Sequence, residues 1–262
     1  MKTLTWQKPG QQNVAQELIK IIINYVAELR NTIFPAEKKH GLPANPYLCP
    51  VMSTAIAKRS GEEIFNTLTH LGGVAFTLGM AWIILRLGYR AGWQHAFGVT
   101  FFTSGMLLMF AASTLYHWWL PGKGKHWLRI FDHIGIYVMI AASYTPICIG
   151  VVGGALGWTV FGLLWAAVIA GACYKIAAIG KYPRLSLLLY LLMGWSVVFI
   201  AVPVCRNLTA TSLLLILAEG LFYTGGTYFF AHDHRPYFHG IWHLCVLAGA
   251  VSHWAAVLSI LA

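Results

Sequence analysis

The stretch FHGIWHLCVLAGAVSHWAAVLSILA, residues 238–262, contains three histidines but no lysine, arginine, aspartate or glutamate. A helix needs about 20 mostly apolar residues to cross the hydrocarbon core of a bilayer. The stretch therefore predicts a membrane-spanning helix over residues 239–261. It also raises the question of why two imidazoles, those of His239 and His243, lie four residues apart at its beginning.

The chain as a whole has the composition of a membrane protein. Of its 262 residues, 58% are hydrophobic and 10% are charged, whereas about 25% of the residues in a soluble domain are charged. Between Thr67 and Ala262 the only acidic residues are Asp132, Glu219 and Asp233. This composition excludes an ordinary soluble domain and predicts one polytopic membrane domain.

Six further apolar segments precede the last one, and short connections with helix-stopping residues separate them. The predicted fold class is therefore an all-α membrane protein, a bundle of seven transmembrane helices. Pro146 lies within the third segment and is expected to kink it. The predicted spans are residues 68–87, 96–117, 132–151, 156–174, 185–203, 211–231 and 239–261.

Lysine and arginine are distributed unequally between the two ends of these spans. Residues 1–60 contain eight of the 18, and the connections after spans two, four and six contain three, three and one. The remaining three are Arg86, Arg90 and Arg206, on the other side. Because basic loops stay in the cytoplasm, we predict a cytoplasmic N-terminus and an outside C-terminus. The same asymmetry accounts for the net charge of +10, so no nucleic-acid partner is expected.

Two regions follow from this division, a cytoplasmic extension at residues 1–60 and a membrane domain at residues 61–262. Within the extension, apolar residues recur at helical spacing, which predicts an amphipathic helix. That helix either lies on the membrane surface or packs against the membrane domain, and the sequence favours neither alternative. The residues that define its apolar face are Leu18, Ile22, Tyr25, Val26, Leu29 and Ile33.

Polar residues from distant parts of the sequence meet at the predicted cytoplasmic ends of four spans. Ser113 and His117 end the second span, Asp132 begins the third, and the two histidines of the opening stretch begin the seventh. The start of the first span shares this level and contains Glu62, Glu63, Asn66 and His70. Residues four apart lie on one face of a helix. His239 and His243 can therefore address one ion, and Ser113 shares a face with His117.

Three imidazoles with a fourth position left open are typical of a catalytic zinc, which lowers the pKa of a bound water towards neutrality. We therefore predict a Zn²⁺ site formed by His117, His239 and His243. Asp132 is suited to hold or deprotonate the water, with Ser113 as a second catalytic candidate. The alternative for any single histidine is an interfacial hydrogen-bonding residue, and an isolated HxxxH pattern favours that alternative.

The remaining polar residues have simpler interpretations. His253 lies ten residues beyond His243, about 15 Å along the helix, so we predict a buried hydrogen bond rather than a shared ion. Glu219 falls near the middle of the sixth span, and we favour a hydrogen-bonded carboxyl packed between helices over a functional charge. Interfacial roles are predicted for His70, His126, His133, His232 and His234.

Five segments together resemble the bacterial hemolysin III proteins, which are similar to the progestin and adipoQ receptors and, more distantly, to the alkaline ceramidases. The resemblance covers about residues 61–262, and its SxxxH, FDH and HxxxH elements occur in the expected order. No counterpart is evident for residues 1–60. The matching segments are EEIFNTLTHLGG (62–73), ASTLYH (112–117), FDHIGIYVMIAASYTP (131–146), LMGW (192–195) and HGIWHLCVLAG (239–249).

The resemblance implies a seven-helix fold with a zinc near the cytoplasmic leaflet of a bacterial plasma membrane. The implied ligands are His117, His239 and His243, with Asp132 reaching the metal through water and Ser113 alongside. All five positions are intact in this sequence. Eukaryotic relatives resemble lipid amide hydrolases, whereas the bacterial members are named for cytolysis and are linked to membrane energy or lipid balance.

Three functions are compatible with these residues. A zinc-dependent hydrolase of a lipid amide or ester is preferred, with membrane lipids or fatty acids as partners. A non-enzymatic regulator of membrane lipid or energy homeostasis is the alternative. A pore-forming cytolysin is the least favoured, because no stripe of polar residues lines the predicted spans. The substrate, the role of residues 1–60 and the formation of a homo-oligomer are left open by the sequence.

Overall fold

A computed structural model of the chain describes residues 60–262 and, before them, Lys20. The amphipathic helix predicted in the N-terminal extension otherwise lies outside the described residues. Seven long apolar helices occur in the described part, and their ends are joined by short connections. We number them α1 Gly61–Ala91, α2 Trp93–Trp118, α3 Lys123–Val152, α4 Gly154–Ala178, α5 Pro183–Asn207, α6 Ala210–Ala231 and α7 Phe238–Leu261.

These helices confirm the predicted all-α, seven-span architecture, although several begin earlier than predicted. The clearest case is α1, which begins at Gly61 because Ser60 caps it. The Ser60 side chain accepts a hydrogen bond from the backbone N–H of Glu63 at 3.2 Å, which satisfies one of the unpaired N–H groups at the helix start. Glu62 and Glu63 lie in the first turn, where negatively charged side chains interact favourably with the helix dipole.

Two of the helices change their winding within the membrane. At the predicted position in α3, residues Pro146–Val152 form a π-helical segment, because proline removes a backbone N–H donor from the ladder. In α5, residues Trp195–Ile200 form a 3-10 segment between two α-helical parts. No feature of the sequence predicted this second change.

Small residues allow the helices to approach closely. A Cβ atom on Gly98 would lie 2.5 Å from the Cα of Pro146, and one on Gly105 would lie 2.4 Å from the Cβ of Ala142. These glycines therefore let α2 pack directly against α3, as small residues do between membrane helices. The outer surface is apolar, with Trp82 69% and Phe199 78% exposed, which suits contact with lipid.

Candidate functional site

Three histidines from two helices meet at one end of the bundle. His117 lies in the last turn of α2, and His239 and His243 lie in the first two turns of α7. One ring nitrogen from each lies within 4.8 Å of the others. His117 and His243 are 4% and 2% exposed and are removed from bulk water, whereas His239 is partly exposed. The structure thus brings together the three residues that the sequence predicted as ligands.

The start of α7 reaches this position because of a glycine. A Cβ atom on Gly240 would lie 2.2 Å from the ring of Phe65 and 2.9 Å from the Oδ1 of Asn66. Any larger residue would therefore push α7 away from α1. Because His239 precedes Gly240 directly and His243 follows it by one turn, this close approach helps to set the position of both rings.

The Nδ1 atom of His117 faces a carboxylate for which no chemical role was predicted. It lies 2.7 Å from the Oε2 atom of Glu63 in α1, and the other carboxylate oxygen accepts a hydrogen bond from the Nζ of Lys125 at 2.5 Å. An Nδ1–H donated to this carboxylate leaves the Nε2 lone pair for a metal. Such a carboxylate behind a histidine also raises the basicity of the ligand and orients its ring.

The other two histidines also have oxygens next to Nδ1. In His243, Nδ1 lies 3.2 Å from both the backbone oxygen of Asn66 and the Oγ1 of Thr69. In His239, Nδ1 lies 3.9 Å from an oxygen of Asp233 in the connection before α7. All three rings therefore turn one nitrogen towards oxygen atoms outside the cluster.

Buried polar atoms without partners test whether a metal fits this site. The Nε2 atoms of His117 and His239 are buried and have no hydrogen-bond partner among the described residues. Buried polar groups without partners are rare in proteins, and a Zn–N bond of about 2.0–2.1 Å would satisfy both atoms. The ligand atoms lie close enough for small rotations of the rings to bring them to one ion. The residues present therefore fit a metal bound by three imidazoles.

The two predicted catalytic residues lie beside this cluster. Ser113 is completely buried one turn before His117, and its hydroxyl lies next to the Asp132 carboxylate. Asp132 is 9% exposed in α3, and one of its oxygens lies 3.5 Å from the Nδ1 of His133. Asp132 is not one of the three residues of the cluster, and its contact with the metal through water stays a prediction.

A fourth histidine, His70, for which an interfacial role was predicted, packs against the site. It is 3% exposed, and its ring stacks on that of His243 with 3.7 Å between centroids. Neither of its nitrogens has a hydrogen-bond partner among the described residues. Asn66, one turn earlier on the same helix face, is also buried, so the two residues form an inward-facing polar stripe in α1.

A cavity of about 200 Å³ adjoins the site and extends into the membrane region between α3, α5, α6 and α7. Asp132, His239 and His243 line one part of it. Most of the other lining side chains are apolar, including Met139, Trp242 and Val246. This arrangement joins a polar site to a space suited to hydrocarbon.

Glu219 and His253 also line this cavity, away from the histidine cluster. The Nδ1 of His253 lies 2.6 Å from the Oε2 of Glu219. The prediction of a buried hydrogen bond for His253 is therefore confirmed, and so is that of a hydrogen-bonded carboxyl for Glu219. Their pairing was not predicted from the sequence, because one residue lies in α6 and the other in α7.

Comparison with known proteins identifies the family of the chain. The sequence profile described as Haemolysin-III related matches residues 59–254. The chain belongs to this family. Family membership and the seven apolar helices make it a multi-pass integral membrane protein, as predicted.

Similar proteins occur in bacteria and in animals. The Hemolysin-3 homolog of Bacillus subtilis (strain 168) is 34% identical over 200 residues, which cover 75% of this chain and 93% of the relative. Hemolysin-3 of Bacillus cereus is likewise 34% identical, covering 75% and 90%. The Monocyte to macrophage differentiation factor of Homo sapiens is 30% identical over 163 residues, covering 58% and 66%. No solved structure shows a significant match to the chain.

Proposed function

We propose that this chain is a zinc-dependent hydrolase of a lipid amide or ester in the bacterial plasma membrane. The observation that supports the proposal is the orientation of the three histidines beside the cavity. Their Nδ1 atoms face oxygens in other parts of the chain, and the Nε2 atoms of His117 and His239 are buried without partners. In the proposed orientation the site lies at the cytoplasmic side.

Each part of the site has a separate task in this proposal. His117, His239 and His243 hold the zinc, and Glu63 fixes the ring of His117. When bound, zinc supplies Lewis acidity that polarises a carbonyl and lowers the pKa of a coordinated water. The Asp132 carboxylate accepts a proton from the attacking water, and the Ser113 hydroxyl offers a hydrogen bond to the reacting group. The apolar cavity holds the acyl chain and excludes bulk water.

Release of fatty acid by purified protein tests the proposal. We expect zinc-loaded wild type to release fatty acid from a ceramide or a phospholipid. Asp132→Asn should slow the release by roughly 10²–10⁴-fold, the usual contribution of a general base, and its zinc content should match that of wild type. If neither lipid class is cleaved by protein that demonstrably contains zinc, the hydrolase proposal fails.

A regulator without enzymatic activity is the second candidate, and the pairing of Asp132 favours it. This carboxylate lies 3.5 Å from His133, so it has a partner other than a water. In a regulator, zinc would stabilise the helix ends and lipid in the cavity would shift the helix packing. Asp132→Asn would then keep function in cells while His243→Ala abolished it. Equal loss of function in both variants would remove this candidate.

A further inference from the structure

A second polar group of residues lies in the cavity, within the membrane. Its centre is the pair of Glu219 and His253, whose facing atoms are 2.6 Å apart. Tyr223 follows Glu219 by one turn of α6, and its ring packs on Gly249 of α7, where a Cβ atom would lie 2.5 Å away. Glu219, Tyr223 and His253 all line the cavity, so we call them the distal polar group.

The distal polar group has hydrogen-bonding capacity that the described residues do not use. The Nε2 of His253 and the hydroxyl of Tyr223 are both buried and have no hydrogen-bond partner among them. Leaving such groups unpaired is costly in a folded protein. Two atoms without partners, next to a carboxyl that is itself expensive to place in a membrane, point to a polar ligand group at this position.

Other hydroxyls of the cavity wall, unlike that of the distal polar group, already donate a hydrogen bond within the protein. Ser143 donates to the backbone oxygen of Met139, and Thr227 donates to that of Thr224. Both protons are therefore engaged within their own helices. The lining nearby includes the apolar side chains of Trp242 and Val246. Hydrogen-bonding capacity is thus concentrated at the histidine cluster and at the distal polar group, with a wall suited to hydrocarbon between them.

We propose that the cavity binds a hydroxylated fatty acyl chain, with its hydroxyl at the distal polar group. His253 lies ten residues beyond His243 in one helix, which separates the two levels by about 15 Å. An acyl chain whose carbonyl lies at the histidine cluster would bring a hydroxyl at this distance to Glu219, Tyr223 and His253. The position of the carbonyl rests on the proposed function, whereas the recognition of the hydroxyl rests on the distal polar group alone.

Binding of three fatty acids of equal length to the purified protein tests this inference. The probes are an unsubstituted acid, an isomer with its hydroxyl beside the carboxylate, and an isomer with its hydroxyl about 15 Å from the carboxylate in the extended chain. Displacement of a fluorescent fatty acid measures their affinities. We expect the distal isomer to bind roughly tenfold more tightly than the isomer with the adjacent hydroxyl, the contribution of one or two hydrogen bonds to a buried site.

Two variants connect this preference to the distal polar group. The affinity ratio is that of the distal isomer to the isomer with the adjacent hydroxyl. Tyr223→Phe keeps the ring on Gly249 and should lower this ratio by roughly threefold. Tyr223→Phe combined with His253→Leu should bring it to about one. Tyr137→Phe is the matched control, because that hydroxyl is also buried without a partner among the described residues but Tyr137 does not line the cavity. Affinity for the unsubstituted acid reports whether each variant is folded.

The outcomes separate this inference from the proposed function. In His243→Ala, where metal binding is lost, the distal isomer should still bind more tightly than the unsubstituted acid, because the distal polar group is intact. Equal affinity of wild type for the two hydroxylated isomers would overturn the inference, and so would a preference that survives in the double variant. A preference that depends on Tyr223, found together with an absence of lipid hydrolysis, would support the inference and remove only the hydrolase.

Discussion

The Nδ1 of His117 lies 2.7 Å from the Oε2 of Glu63, although the two residues are 54 positions apart in the sequence. This contact joins the start of α1 to the end of α2 at the proposed metal site. It also gives Glu63 a chemical role, since a carboxylate behind a metal-binding imidazole typically changes metal affinity 10–100-fold.

Glu63→Gln should therefore weaken zinc binding about tenfold without preventing it, because the amide oxygen still accepts a hydrogen bond but carries no charge. Competition with a chelator measures the zinc affinity. Glu62→Gln is the matched control, since the Glu62 carboxylate accepts from the backbone N–H of Tyr237 rather than from a histidine. Equal affinities in the two variants would show that Glu63 does not act on the site.

The three proposed ligands should each be required for a stable metal complex. His117→Ala, His239→Ala and His243→Ala should contain far less than one zinc per chain after purification, because two remaining imidazoles hold the ion weakly. His126→Ala is the control, since His126 is exposed at the start of α3 and is not part of the cluster. Elemental analysis of the purified variants gives the answer. A full zinc complement in His243→Ala would contradict the site.

Packing at Gly240 should affect both the stability of the bundle and the zinc affinity of the site. Gly240→Ala places a methyl group 2.2 Å from the ring of Phe65, and such overpacking costs about 1–3 kcal/mol. We expect a lower temperature of unfolding in detergent together with weaker zinc binding, because α7 must move away from α1.

Gly225→Ala provides the comparison for this packing effect. Nothing lies within 4 Å of a Cβ atom at Gly225 in α6, and alanine is favoured over glycine within a helix by about 0.5–1 kcal/mol. This variant should be as stable as wild type or more so. If Gly240→Ala behaved like Gly225→Ala in both measurements, the close approach of α1 and α7 would not matter for the site.

The orientation of the chain is predicted from its charges and can be measured directly. A phosphatase that is active only outside the cytoplasm should be active when fused after Ala262 and inactive when fused after Lys181, in the connection between α4 and α5. The reason is the excess of lysine and arginine at one side of the helices. The opposite pattern of activities would place the histidine cluster at the outer leaflet.

Apolar runs were sufficient to predict seven spans, but not where each helix begins. The first span was predicted from residue 68, whereas α1 begins at Gly61. Hydropathy reports which residues suit lipid, while a helix begins where its free N–H groups are capped, here by Ser60. The same difference applies to α3, which begins at Lys123 with polar residues in its first turns.

The sequence by itself determined the seven apolar helices and the residues that form the histidine cluster. Helical periodicity paired His239 with His243, and the alternation of the chain across the membrane brought His117 to their level. Only the tertiary structure decided which other groups surround them. Glu63 behind His117, His70 on His243 and Glu219 beside His253 depend on the rotation and separation of neighbouring helices. Those quantities are set by close contacts such as that of Gly240 with Phe65, which no spacing within a single helix reveals.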